Sequence, residues 1–339
     1  MISRILIIVF FMSIFTSCDT DFDVITPWKE TMIVYALLDQ NEEYQYVRIN
    51  KAYLGEGDAL IMGQTDSIYY STKSLEVSLY SISNGFSDTT KLIDLYPTIF
   101  PKQSGSFNSQ QNVIYTVKTD SIPSFTKNNT YYLSIINKET ANIVHATTDL
   151  ISGFSFKGLD TIGPYVLYKS SNPDVFQEIR WFPAKYGDVD VGLVYQLDVF
   201  FNYIENGEEK SILWRQPSVI PESPLVKKTQ LYGSNFFNFI QANIEKDATK
   251  IREFSSLSLV MTIGTPELAT YINISSPLSS ISQEKIEYTN INNGLGIFSA
   301  RNTSTIYSVG LNPCTLEHLV EIDRGFKLTD VQSLSPCID

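Results

Sequence analysis

The sequence predicts a mostly β protein, on three observations. Tyr, Phe, Ile, Ser and Thr are abundant, with 20 Tyr and 20 Phe among 339 residues, a composition that suits strands better than helices. Apolar and polar residues alternate with period two in many short runs, the pattern of strands with one buried and one wet face. Polar turn segments, several with Gly or Asn, punctuate those runs.

The elements follow in order. Thr31 to Leu38 reads as a first strand, and Asp39 to Glu43 as a polar turn. Tyr44 to Tyr53 follows, with Val47 and Ile49 alternating against Arg48 and Asn50. Leu75, Val77 and Leu79 mark another strand, Val113 to Val117 a further one, and Tyr131, Leu133 and Ile135 the next. Asn137 to Thr140 turns the chain into Ile143 to Thr147. Glu56 to Thr65 and Phe100 to Gln111 read as loops. Short strands without a long helical period predict an immunoglobulin- or fibronectin-like β-sandwich over residues 31–150. Glycines and prolines weaken the pattern from Ile151 to Val175, so a linker is expected at 151–175.

A second β-rich domain with a few short helices is expected over residues 176–339. Ile179 and Trp181 open it. Tyr195, Leu197, Val199, Phe201 and Tyr203 then alternate with polar residues up to Asn206-Gly207, a hairpin turn signal, and Ile212 to Arg215 returns. Ser234 is placed as the cap of a helix running to Asp247, with Phe236, Ile240 and Ile244 on one face. Leu257, Leu259, Met261 and Ile263 form a strand. Thr265-Pro266-Glu267 starts a short helix reaching about Tyr271, and Asn312-Pro313 starts another, with Leu316, Leu319 and Val320 on one face and Gly325 as its stop.

The first residues carry an address. Arg4 is followed by the apolar run Ile5 to Phe15, interrupted only by Ser13. It is too short to span a hydrocarbon core, which takes roughly 20 helical residues, and suits a secretory signal. Thr16 and Ser17 then precede Cys18. Small residues before a cysteine suit a lipoprotein signal peptidase, so residues 1–17 read as a signal peptide and Cys18 as the acylated N-terminus. An ordinary signal peptide with an incidental Cys18 is the alternative. Residues 18–30, with Asp19, Asp21 and Asp23, read as an acidic tether. The expected address is the outer membrane, at the cell surface or on the periplasmic face, held by a lipid anchor.

A formal charge of −12 excludes nucleic-acid binding, which needs clustered Lys and Arg. With Cys18 lipidated, Cys314 and Cys337 remain as an even pair in an oxidising compartment and are expected to form a structural disulfide. Chemistry-bearing patterns are sparse. His318 and Glu321 stand at i, i+3 on a helix, which is half of a metal site at best. His145 sits on a strand. Asp188 and Asp190 offer two carboxylates where calcium takes about 6–8 oxygens. Gly153 to Gly158 is one residue too long for a serine nucleophile elbow. Gly294 to Arg301 leads into a strand rather than a helix, so it reads as a glycine turn or bulge and not a dinucleotide loop. No catalytic, cofactor-binding or metal-ligating residue is assigned, and no cofactor is expected.

Three stretches together resemble an uncharacterised family of Bacteroidota surface lipoproteins that carry a domain of unknown function. They are the cysteine-led acidic tether, Asn50-Lys51-Ala52-Tyr53-Leu54-Gly55, and Tyr288-Thr289-Asn290-Ile291-Asn292-Asn293-Gly294-Leu295-Gly296-Ile297-Phe298. Such lipoproteins often accompany TonB-dependent outer-membrane transporters. The resemblance therefore implies a non-catalytic binding or accessory role in nutrient capture or envelope assembly, with a transporter as partner. A structural or adhesive surface protein is the alternative, and a hydrolase whose residues converge only in the fold is a third reading.

Overall fold

The structure is a computed structural model that describes residues 31–52, 69–83, 88–101, 112–127, 129–158, 163–172, 175–185, 193–220, 226–247, 249–275 and 288–338. Cys18, the acidic tether, and Asp188 and Asp190 lie outside the described residues, as do the expected loop at 56–65 and nearly all of that at 100–111.

The fold is mostly β. In chain order the strands are β1 (Met32–Leu38), β2 (Tyr44–Lys51), β3 (Leu75–Ser83), β4 (Asp88–Phe100), β5 (Asn112–Lys118), β6 (Thr130–Asn137), β7 (Ile143–Asp149) and the short β8 (Ser155–Phe156). Then come β9 (Phe176–Phe182), β10 (Val194–Glu205), β11 (Glu208–Arg215), β12 (Lys227–Tyr232), helix α1 (Gly233–Asn243), β13 (Arg252–Gly264), helix α2 (Pro266–Ser275), β14 (Gly294–Val309), helix α3 (Pro313–Glu321) and β15 (Phe326–Lys327). One large sheet runs in the order β11-β10-β13-β14-β1-β2-β5-β4-β3-β6-β7, with β15 beside β13, and a second runs β12-β9-β8.

Two long strands turn corners in this path. β4 pairs with β3 through Leu95, then with β5 from Tyr96 onward. Pro97 sits just past that switch, opposite Tyr115, with no second strand asking for its missing N–H. β14 pairs in parallel with β1 over Gly294–Ala300, then antiparallel with β13 from Arg301 to Val309. His145 and Asn292 exchange both backbone hydrogen bonds, at 3.3 and 2.8 Å. That bridge links β7 to the entrance of β14, so the first strand set closes on itself around Val34, Val47, Tyr115, Leu79, Leu133 and Val144.

The strand run expected before residue 150 thus takes in Gly294–Ala300 as well. Buried side chains from both strand sets form one continuous apolar cluster. In its second half Phe201 is ringed by Phe236, Phe254 and Phe326 at centroid distances of 5.8, 5.5 and 5.7 Å, and Trp181 packs on Tyr195 at 5.2 Å. Helix α1 and the small sheet supply the covering layer.

Local signals account for most of the turns and caps. Asn206 and Gly207 both have positive φ, as a two-residue hairpin turn demands, and Glu205 pairs with Glu208 across it. Thr265 Oγ1 accepts from Leu268 N at 3.3 Å ahead of α2, which extends to Ser275. Asn312 Oδ1 accepts from Thr315 N at 3.1 Å ahead of α3, with Pro313 in its first turn. Cys314 and Cys337 form the disulfide, with Cα atoms 4.4 Å apart.

Both boundaries of α1 and the end of α3 differ from expectation. Ser234 lies inside α1, which begins at Gly233 after Tyr232 and has no side-chain cap. The reason is packing: a Cβ on residue 233 would stand 1.8 Å from the Leu167 carbonyl oxygen, so the chain enters the helix where only glycine fits. Its C-terminal boundary is Asn243 rather than Asp247. Helix α3 stops at Glu321, and Gly325, with φ +74°, turns the chain four residues later into β15.

A buried ion pair fixes the start of β13. Arg252 Nε donates to Glu205 Oε2 at 2.7 Å, and its Nη1 reaches the carbonyls of Glu245 and Arg324. The Lys210 ammonium closes on the other Glu205 oxygen, and this hydrogen bond leads the interactions that hold Glu205 below the usual carboxylate range. By contrast, Lys227 Nζ and Trp181 Nε1 stand at paired strand positions, fully buried and without an acceptor among the described residues.

Two substitutions test this account. Gly296 has φ +103°, and a Cβ there would lie 2.1 Å from the Val34 carbonyl oxygen. Gly296→Ala is expected to destabilise by about 3 kcal/mol or more in urea unfolding, because strain and a backbone clash combine at the β1–β14 seam. Lys227→Met is expected to stabilise by about 1–3 kcal/mol, since it replaces a buried amino group without an acceptor among the described residues with an apolar chain of similar reach. A loss of stability on that change would mean that the lysine has a partner in the folded protein.

Candidate binding face

The solvent face of the first strand set carries the most unusual surface. Period-two alternation in β2 sends Val47 and Ile49 inward and Tyr44, Tyr46 and Arg48 outward. The neighbouring strands place Ile114 and Thr116 from β5, and Tyr96, Thr98 and Phe100 from β4, on the same face. Tyr44, Tyr46 and Tyr96 are 39%, 41% and 68% exposed. Tyr46 lies 6.5 Å from Tyr44 and 6.1 Å from the edge-on Phe100 ring. Between them run hydroxyls and charge: Thr98 and Thr116 are hydrogen-bonded at 2.9 Å, and Arg48 Nε donates to Asn50 Oδ1 at 3.1 Å. Exposed rings beside polar groups form a surface that can stack an apolar ligand face while hydrogen-bonding its rim.

The β1–β2 turn sets the position of that face. Asp39 is buried, and its Oδ1 accepts from Asn41 N at 3.0 Å. Its Oδ2 accepts from Arg301 Nε and from Thr303 Oγ1, each at 3.2 Å. Arg301 also reaches Glu42 at 2.8 Å, and Asn41 Nδ2 donates to the Thr303 carbonyl at 2.8 Å. Gln45 ties the base of β2 to the turn, with bonds of 2.9 Å from Asp39 N and 2.7 Å to Asp39 O. The turn before Tyr44 is therefore clamped to the point where β14 changes partners. Burial pushes the Asp39 carboxyl above its ordinary value, and Asn41 N–H, Arg301 and Thr303 offset this only in part.

The residues singled out in the sequence that the structure describes do not converge on one site. The His318 ring stacks on Tyr168 at 3.7 Å and meets the edge of Phe237 at 4.6 Å, while its Nδ1 pairs with Glu321 at 2.8 Å. That arrangement packs α3 against α1. His145 lies by Tyr132 on β7, with its ring centroid 5.4 Å away. Ser155 stands on exposed β8 and Gly294 to Arg301 lie in β14. Among the described residues, no three His, Cys, Asp or Glu side chains gather as a metal ion would require.

A polar depression of about 430 Å³ lies on the other strand set, lined by Asn202, Glu209, Lys210, Ser211, Ser255 and Ser256 among others. Its groups largely satisfy one another. Asn202 Nδ2 donates to Ser256 Oγ and Ser258 Oγ at 3.2 and 3.0 Å, and Asn202 Oδ1 accepts from Ser211 Oγ at 2.8 Å. The aromatic face has the stronger claim, because the rings of Tyr44, Tyr46 and Tyr96 are left to solvent.

Sequence reading identified β2 but not the significance of Tyr44 and Tyr46, and it missed β4 entirely. Tyr96, Thr98 and Phe100 do alternate, but Pro97 and the charges of Lys91 and Asp94 obscure the strand. No model of a known protein family matches the chain, and no curated protein matches it.

Asp39 gives a pH test. Its folded pKa is raised, so its contribution to stability is fully present below its ordinary value near 3.8 and is lost as pH rises through the folded value. Relative to Asp39→Asn, the native protein is expected to gain stability as pH falls through that window, measured by urea unfolding of both chains at a series of pH values. Parallel curves would show that Asp39 does not titrate differently on folding.

Proposed function

We propose that this chain is a lipoprotein of the outer membrane or cell surface, anchored through Cys18, and that it binds its ligand without catalysis on the Tyr44–Tyr46–Phe100 face. The observation that carries the binding role is the exposed rings of Tyr44 and Tyr46 beside the half-buried Phe100, flanked by Thr98, Thr116 and Arg48. Aromatic rings beside hydroxyls suit the apolar faces and hydroxyl rims of saccharides. The run from Ile5 to Cys18 and the likeness to Bacteroidota surface lipoproteins support the address, and they support a TonB-dependent transporter as partner in nutrient capture.

The address and the binding face are tested separately. Cys18→Ala is expected to abolish fatty-acid labelling and release the protein from membranes, and persistent labelling would end the anchor reading. Native gels cast with a panel of soluble polysaccharides are expected to retard the native chain. Tyr46→Ala should weaken that retardation about fivefold, for a stacking contribution of about 1 kcal/mol. Equal mobility of the two chains on every polysaccharide would remove the face as a saccharide site. Affinity purification from the native membranes is expected to recover a transporter in stoichiometric amount.

A further inference from the structure

We propose that β11 pairs edge to edge with β11 of a second copy of the chain, in the register that sets Ile212 opposite Ile212. Among the described residues, β11 is hydrogen-bonded only to β10, so its other side is an open sheet edge. The phase of that edge is fixed. Glu205 and Glu208 close the two-residue turn, and at the far end Gln216 N donates to the Leu197 carbonyl at 2.9 Å. Even-numbered residues of β11 therefore bond to β10. Glu209, Ser211, Leu213 and Arg215 turn their N–H and C=O groups outward.

The side chains then select the register. Glu209, Ser211, Leu213 and Arg215 project to the solvent face; Lys210, Ile212 and Trp214 lie on the core face. Two copies related by a twofold axis through the sheet pair residues of the same face. Centring the axis at residue 212 sets Glu209 opposite Arg215 of the other copy, twice. It also sets Leu213 against Ser211, the Lys210 stem against the Trp214 ring, and Ile212 against itself. Centring it at residue 211 leaves Glu209 facing Leu213 and Arg215 facing Gly207. Centring it at 213 leaves Glu209 beyond the pairing.

Arg215 is already held by Asp198 through two bonds of 2.9 Å, so its guanidinium is preset on that face with a second side open to an incoming carboxylate. Leu213, 40% exposed, would be covered. Charges on an edge strand ordinarily repel foreign strands. Here the same charges match one partner, the edge itself, which makes the strand selective rather than closed.

The test uses residues 18–339 carrying Cys18→Ala, so that an introduced thiol is the only free one. The pair at the axis is of the non-hydrogen-bonded kind, with Cα atoms roughly 4.5 Å apart, within the span of roughly 4.4–6.8 Å that a disulfide bridges. Ile212→Cys is expected to give a disulfide-linked dimer under mild oxidation, at least tenfold faster than Leu213→Cys, which faces Ser211. Sedimentation velocity of the chain without an added thiol is expected to show a concentration-dependent monomer–dimer equilibrium. Glu209→Arg, an exposed change that sets like charges opposite one another, should abolish both dimer and cross-link. A strictly monomeric chain, equal linking at positions 212 and 213, or a dimer that survives Glu209→Arg would each overturn the proposal.

Discussion

Everything in this fold depends on one strand serving two masters. The first seven residues of β14 hydrogen-bond in parallel to β1, at the start of the described chain, and the rest lie antiparallel to β13. A parallel pair cannot be made by a hairpin, so β1 must wait for residues some 260 positions away before its second edge is covered. The close approach at Gly296 and the clamp of Asp39, Asn41 and Glu42 on Arg301 and Thr303 both lie along this strand. The buried side chains of the two strand sets belong to one apolar cluster. Folding of the first set is tied to synthesis of the last third of the chain, which is a high contact-order arrangement.

How much of this was legible follows from the range of each cause. Signals that act within four residues were readable: Asn206-Gly207 for the hairpin, Thr265-Pro266 and Asn312-Pro313 for two helix starts, and the alternation of Tyr195 to Tyr203 for a half-buried strand. The disulfide was readable by parity of cysteines, with no geometry at all. Long-range pairing was not. Alternation says which side of a strand is buried and is silent about which strand lies beside it, so nothing in Met32 to Leu38 names Gly294 to Ala300 as its neighbour. The cap misassignment at Ser234 has the same origin, because the glycine requirement at 233 comes from Leu167, 66 positions upstream. The aromatic face was hidden for a different reason. Its rings come from β2 and β4, and an exposed tyrosine cannot be told from a buried one until the sheet shows which face is wet.

The molecule handles buried charge in two opposite ways. Glu205 and Arg252 meet with additional partners in Lys210 and two carbonyls, so removing either one would strand the other. Lys227, buried opposite Trp181, has no such company among the described residues. Asp39 stands between these extremes, paired with Arg301 yet still unfavourably desolvated. Ion pairs at the turn and at the start of β13 thus act mainly as register pins, holding strand ends where apolar packing alone would permit sliding.

The direction of β1 beside β14 has a mechanical consequence. In a chain anchored ahead of residue 31, a load on the far end of the molecule pulls β1 by its N-terminus and β14 by its C-terminus. The two strands are parallel, so that load runs along them and is shared by every rung of the ladder at once. A hairpin in the same place would open one rung at a time, like a zipper. The long-range pairing of β1 with β14 therefore also places a ladder loaded in shear where tension applied ahead of residue 31 would enter.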